Sequence, residues 1–180
     1  MAFKYKGNIN GGHNRTLVKV VLNAQTDFRV GDVVTVSTDD GVELATAGIR
    51  VLGVIASIIT DGGVSPSTNG CGGAFVNTYY TAASNETSAK VSALIDVDTN
   101  SLYSIGADST LGATTGSNKR WYMMDISTTA VTTGATAQNL GESLASATSG
   151  QFFSHGLDAD DTTRVIVNIR ESFLHGDSGA

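Results

Sequence analysis

Arg50-Val-Leu-Gly-Val-Ile-Ala-Ser-Ile-Ile59 is the stretch on which the fold turns. It is too uniformly apolar for a strand with one wet face, so it reads as a central strand buried on both sides. Such a strand needs neighbours, and the sequence around it supplies them. Upstream, Phe28-Arg-Val-Gly-Asp-Val-Val-Thr-Val-Ser37 continues in strand character. Asp39-Asp40-Gly41 then reads as a hairpin tip, because Asp-Gly tolerates the positive φ of a type I′ turn, and Val42 to Thr46 returns. Further upstream, Leu17-Val-Lys-Val-Val-Leu22 is β-branched and apolar, and the turn residues Asn23 to Asp27 follow it.

Downstream, residues 60–73 carry Asp61-Gly-Gly63, Ser65-Pro66-Ser67 and Asn69-Gly-Cys-Gly-Gly73, a breaker-dense stretch that reads as a long loop or the join between two halves. Beyond it Val91, Ala93, Ile95 and Val97 alternate with Lys90, Ser92, Asp96 and Asp98, which predicts a strand with one buried face. Trp121 to Ile126 makes another strand. Val165, Val167, Ile169 and Phe173, alternating with polar residues, make the last. The sole helical candidate runs from Ala137 to Ala147, where Ala137, Leu140, Leu144 and Ala147 recur at helical spacing. Gly141 and the Ser/Thr content count against it.

Composition agrees with the strands. The 180 residues are 41% hydrophobic and 16% charged, enough to bury a core, and 21 Gly with a single Pro suit short strands and tight turns. The expected class is all-β, a compact β-barrel or sandwich with an extended N-terminal arm. A faint repeat sets Val20-Val-Leu-Asn-Ala-Gln-Thr-Asp27 against Ala93-Leu-Ile-Asp-Val-Asp-Thr-Asn100, and Arg50-Val-Leu against Arg120-Trp-Tyr. It suggests two related β-modules. The division that follows is an arm over 1–15, a first module over 16–60, a linker over 61–87, a second module over 88–175 and a tail over 176–180.

The net charge of −6 argues against a general nucleic-acid binder, since phosphate contact requires a positive surface. The charge is unevenly spread. Residues 1–31 hold Lys4, Lys6, Arg15, Lys19 and Arg29 against Asp27, a balance of +4, while the remainder holds 6 bases against 16 acids, or −10. A basic front end can steer onto an acidic partner. The one cysteine, Cys71, has no second thiol for a disulfide or a metal site. The first residues lack an apolar leader, and no run reaches the roughly 18 apolar residues of a membrane helix, so the expectation is an unsecreted protein off the membrane.

Catalytic and metal patterns are weak. Gly176-Asp177-Ser178-Gly179 has the residues of a serine-protease nucleophile, yet it stands at the end of the chain, where a frayed tail is the better reading. Asp96-Val-Asp-Thr-Asn100 opens like a calcium loop, but Ser101 and Ala107 occupy the positions that need Gly and Glu, which leaves a solvated turn. Asp158, Asp160 and Asp161 read as another turn. His13, His155 and His175 stand far apart, Cys71 lacks an activating base nearby, and no Gly-rich stretch has phosphate-loop spacing. Lys119-Arg-Trp-Tyr122 pairs bases with aromatics, a weak signal for nucleic acid or sugar. The reading is therefore a non-enzyme with no catalytic residues, no metal and no cofactor.

Two segments resemble a known family. Phe28-Arg-Val-Gly-Asp-Val-Val-Thr-Val through Gly48-Ile-Arg-Val-Leu-Gly-Val-Ile55 resembles the small head-decoration proteins of tailed bacteriophages. Gln151-Phe-Phe-Ser-His-Gly-Leu-Asp-Ala-Asp-Asp-Thr-Thr-Arg-Val-Ile-Val-Asn-Ile169 looks like the closing strand pair of larger cement proteins. Together they cover about a quarter of the chain, and residues 60–90 match no pattern of that family. The resemblance implies a virion protein made in the host cytoplasm, often a homotrimer, that binds the capsid exterior and clamps neighbouring copies of the major capsid protein. With that role, Phe3, Lys4, Tyr5, Lys6, His13 and Arg15 become the candidate capsid contacts, carried on an arm that orders on its partner and whose removal leaves the body folded. The alternative is a carbohydrate- or receptor-binding β-domain of a phage tail, with Tyr79, Tyr80, Trp121 and Tyr122 as stacking platforms.

Overall fold

A computed structural model describes residues 3–13, 15–22, 28–37, 41–60, 75–77, 79–80, 91–106, 120–132, 135–142, 150–172, 174 and 176–177. In chain order the strands are β1 (Lys4–Asn8), β2 (Leu17–Val21), β3 (Phe28–Arg29), β4 (Val33–Val36), β5 (Val42–Leu44), β6 (Gly53–Thr60), β7 (Phe75–Asn77) and β8 (Tyr79–Tyr80). They continue as β9 (Val91–Asp96), β10 (Ser101–Gly106), β11 (Arg120–Thr132), β12 (Ala135–Glu142), β13 (Phe152–Leu157), β14 (Arg164–Ile169), β15 (Glu171–Ser172) and β16 (Gly176–Asp177). No helix occurs among the described residues, and the protein is all-β.

Two antiparallel sheets carry the fold. The first has the order β1-β10-β14-β13-β11-β12; the second runs β2-β9-β6-β4-β5, with β7 also on β6. The sandwich, not the barrel, is the form adopted. A single parallel bridge, Leu22 to Val42, links the two sides of the second sheet, and no ladder closes it.

One core lies between the sheets, where Val33, Val51 and Val54 meet Tyr103, Ile105, Met124, Phe152, Val165 and Val167. A second lies on the far face of the second sheet and gathers Leu22, Phe28, Val34, Leu52, Ile55, Ile58, Ala93 and Ile95. Successive side chains of a strand point to opposite faces, so Val33 and Val34, or Val54 and Ile55, serve different cores. That is why the 50–59 stretch is apolar throughout: β6 is central and buried on both sides. Gly53 lets β6 approach β9, since a Cβ there would collide with the Asp96 carbonyl oxygen and the Ile95 side chain. Gln151 ties the sheets through polar contacts. Its side-chain amide donates to the carbonyls of Thr46 (2.7 Å) and Ile49, and its side-chain oxygen accepts from Ile126 N–H (3.0 Å).

Several sequence expectations need correction. The helix expected over 137–147 is a strand as far as it is described: Ala137 pairs with Ala130 and Leu140 with Ile126 on β11. Cross-strand pairing satisfies the backbone there, while Gly141 and the Thr and Asn residues give a helix little support. The two halves are not separate modules either. β9 lies between β2 and β6, β1 lies in the opposite sheet, and the supposed repeat partners Val20 and Ala93 face each other across one ladder. The apolar β6 needed a neighbour on each side, and β9 supplies one. For the same reason β9 is buried on both faces, with Ser92 and Asp96 enclosed as well as Ala93, Ile95 and Val97. The tail is partly paired, Glu171 with Asp177 and Ser172 with Gly176; Ser178 lies outside the described residues. So do Cys71, His175 and the 61–74 stretch.

Candidate functional site

The six N-terminal candidates do not form an arm. β1 pairs with β10 at the edge of the first sheet, and the Phe3 N–H donates to the Gly31 carbonyl at 3.0 Å. Phe3 is 4% exposed, with ring centroids 5.2 Å from Phe152 and 6.0 Å from Tyr103. An aromatic followed by alternating lysines therefore acts as an ordinary edge strand whose leading ring plugs the core.

The neighbouring charges are consumed internally as well. Asp96 is fully buried, and one carboxylate oxygen accepts from Arg15 Nε (2.8 Å), the Ser101 hydroxyl (2.9 Å) and the Tyr103 hydroxyl (2.6 Å). The Arg15 guanidinium also sits 4.4 Å from the centre of the Tyr5 ring, whose hydroxyl donates to Asn8 Oδ1 at 2.9 Å. Burial, reinforced by the Asp96 charge, pushes the Tyr103 phenol far above its ordinary range, so it stays a donor. The Tyr5 phenol is raised too, chiefly by desolvation.

Lys6 is the third anchor. Its ammonium lies 3.0 Å from Asp158 and 2.8 Å from Asp160, in the turn between β13 and β14. Burial works against ionisation of Asp158, yet hydrogen bonds from Ser104, the Asp160 amide and Lys6 hold its carboxyl below the usual range. Hydrogen bonds to Asp160 and Asp158 raise the Lys6 ammonium. Of the six candidates, Phe3, Tyr5, Lys6 and Arg15 are thus engaged with the protein's own body, while Lys4 and His13 are exposed. The Asp96 to Asn100 stretch is the β9–β10 turn, in which Asn100 N–H donates to the Asp98 carboxylate (2.9 Å).

Two surfaces remain that the candidate residues did not single out. The first is an open groove of about 340 Å³ lined by Ile9, Met123, Phe153, His155, Asn168 and Arg170. Asn168 donates to the Thr99 and Ile169 carbonyls at 2.9 and 3.2 Å, which turns its oxygen toward His155 Nε2 at 2.8 Å. His155 Nε2 therefore carries the proton, and the ring stands edge-on to Phe153 at 5.4 Å. Such a groove is at the small end of ligand sites, which span roughly 300–1,000 Å³. Among the described residues no group of three or more His, Cys, Asp or Glu side chains is arranged to hold a metal ion.

The second surface is β2. It ends the second sheet, paired with β9 on one side, and Leu17, Val18 and Val21 are 43%, 39% and 45% exposed. Lys19 is exposed between them. The signal was present in the sequence as an apolar run, but such a run reads first as core. Of the stacking aromatics of the alternative reading, Tyr122 is exposed and beside Met123 in β11.

No family model, curated protein or solved structure matches the chain. The class that fold and surfaces define is an all-β sandwich with an apolar sheet edge.

Proposed function

We propose that this is a non-enzymatic structural protein of a tailed-phage virion, which binds the outside of the capsid and stabilises contacts between major capsid subunits. The observation that carries the reading is the β2 edge, where Leu17, Val18 and Val21 are exposed on a strand that ends its sheet. A sandwich with that edge suits docking onto another protein, and the resemblance of residues 28–55 and 151–169 to head-decoration proteins points to a shell as the partner. Self-association, with a homotrimer as the expected form, belongs to the same proposal. Many identical sites on a shell make modest affinity per copy sufficient. Cosedimentation with undecorated heads tests it: stoichiometric pelleting and a shell that withstands more heat are expected, and a protein that stays in the supernatant overturns the assignment.

A second reading, a carbohydrate- or receptor-binding domain, is favoured by the His155–Arg170 groove. Binding of a glycan that is lost in Phe153→Ala, without shell binding, would select it.

A further inference from the structure

The regular ladder of the first sheet breaks on both sides of His155. Phe152, Val167 and Ile169 belong to the core between the sheets, so Phe153 and Asn168, which alternate with them, face outward where the open groove lies. Toward β14, Phe153 pairs with Asn168 and Ser154 with Val167; the register then skips His155, and Gly156 pairs with Ile166. Toward β11, His155 pairs with Arg120 and Phe153 with Met123, which sets two residues of β11 against Ser154 alone. Bulges recur beside binding sites because they re-aim a side chain, and here one lies on each ladder next to the same ring. Gly156, at φ +125°, takes the backbone conformation that the first of them requires.

The re-aimed ring is also fixed. The Asn168 amide nitrogen donates to two carbonyls and its oxygen accepts from His155 Nε2, so in the neutral ring Nδ1 is left as an acceptor. Among the described residues Nδ1 makes no hydrogen bond. Arg170 gives the lining its one permanent charge, and none of the six lining residues is acidic, in a chain whose net charge is −6. A guanidinium has five N–H donors, enough for a ligand besides its contacts within the protein. Ile9, Met123 and Phe153 supply an apolar wall.

We propose that this groove binds an acidic sugar residue, a pyranose whose carboxylate pairs with Arg170, whose hydroxyl donates to His155 Nδ1 and whose C–H face lies on Phe153. An inorganic anion meets Arg170 but not the apolar wall. A neutral sugar leaves the guanidinium without a charge to pair, and an apolar acid leaves Nδ1 without a donor. A uronic acid addresses all three. The volume of about 340 Å³, near the lower end of ligand sites, suits a single ring. This assignment rests on the reading of the groove as a glycan site, and it is independent of the β2 edge, which belongs to the other sheet.

The test is an NMR titration of the full chain with three probes: methyl glucuronide, methyl glucoside, which lacks the carboxylate, and cyclohexanecarboxylate, which lacks the hydroxyls. The glucuronide is expected to bind roughly tenfold more tightly than either, since a charge-assisted pair is stronger than a neutral one, and to shift the amides of Phe153, His155, Asn168 and Arg170. Arg170→Gln should abolish the preference for glucuronide while leaving glucoside binding within about threefold, and Phe153→Ala should weaken both sugars. Thermal melts check that each variant folds. Equal binding of glucoside and glucuronide, or a preference that survives Arg170→Gln, overturns the acidic assignment while the glycan reading stands. Cyclohexanecarboxylate binding as tightly as the glucuronide overturns the sugar assignment. Silence from all three probes overturns the proposal and the glycan reading of the groove together.

Discussion

β1 and β2 are consecutive edge strands, each five residues long and each carrying positive charge, yet they meet their surroundings in opposite ways. β1 is fastened by a buried ring ahead of it, by Lys6 on the Asp158–Asp160 turn, and by Tyr5 against the Arg15 guanidinium, which reaches Asp96 from just ahead of β2. β2 packs Val20 against the second core and leaves Leu17, Val18 and Val21 partly exposed. Charge counted along a sequence therefore does not locate the exposed side chains. Paired with a buried or enclosed carboxylate, a basic residue is part of the fold, while an aliphatic run on a sheet edge stays partly exposed.

The largest effect is expected at Phe3. Phe3→Ala empties a core position and is expected to cost about 3–5 kcal/mol of stability, read from the urea midpoint. Equal midpoints for wild type and variant would show that β1 is a detachable arm after all. The truncation of residues 1–15, expected from sequence to leave the body folded, should for the same reason unfold at markedly lower temperature.

Arg15→Ala leaves a buried carboxylate without its counter-charge and should cost about 3 kcal/mol. Arg15→Lys should recover only part of that, because an ammonium does not reproduce the guanidinium's contact with both Asp96 and the Tyr5 face.

A pH series of urea midpoints sharpens the picture of the Lys6 anchor. The Asp158 carboxyl is lowered in the folded protein, so its contribution is full above the unfolded value near about 4 and is lost as pH falls through the folded one. The Lys6 ammonium is raised, so its contribution is full below about 10.4 and is lost as pH rises through the folded value. Lys6→Met should flatten the alkaline loss; an unchanged alkaline limb would remove Lys6 from the account.

The smallest effect is expected on β2. Val18→Ser should change stability by no more than about 0.5 kcal/mol, since an exposed side chain contributes little to the fold. A loss of several kcal/mol would mean that Val18 is packed against the second core and is not a docking residue.

Much of this architecture was legible beforehand. The all-β class, the doubly buried strand at Gly53–Thr60, the β4–β5 hairpin and the alternation of Val165, Val167 and Ile169 follow from apolar periodicity and turn residues. The candidate contacts were less legible. Lys6 and Arg15 looked available because their carboxylates, Asp158 and Asp96, lie 152 and 81 residues away. β12 misled because Ala137, Leu140 and Leu144 fit a helical spacing that its pairing with β11 overrides.

From the sequence alone came the all-β class and the strands of β2, β4, β5, β6, β9 and β14, because side-chain alternation and turn chemistry are local properties of the chain. Only the tertiary structure decided which strands are neighbours and which charges are consumed. It sets β9 between β2 and β6, brings Arg15 onto the buried Asp96, and puts β2 at the end of its sheet, with Leu22 just beyond it bridged to Val42. The physical reason is that pairing and burial depend on residues far apart in sequence, and the same Val or Lys is core, anchor or docking surface according to what comes to lie against it.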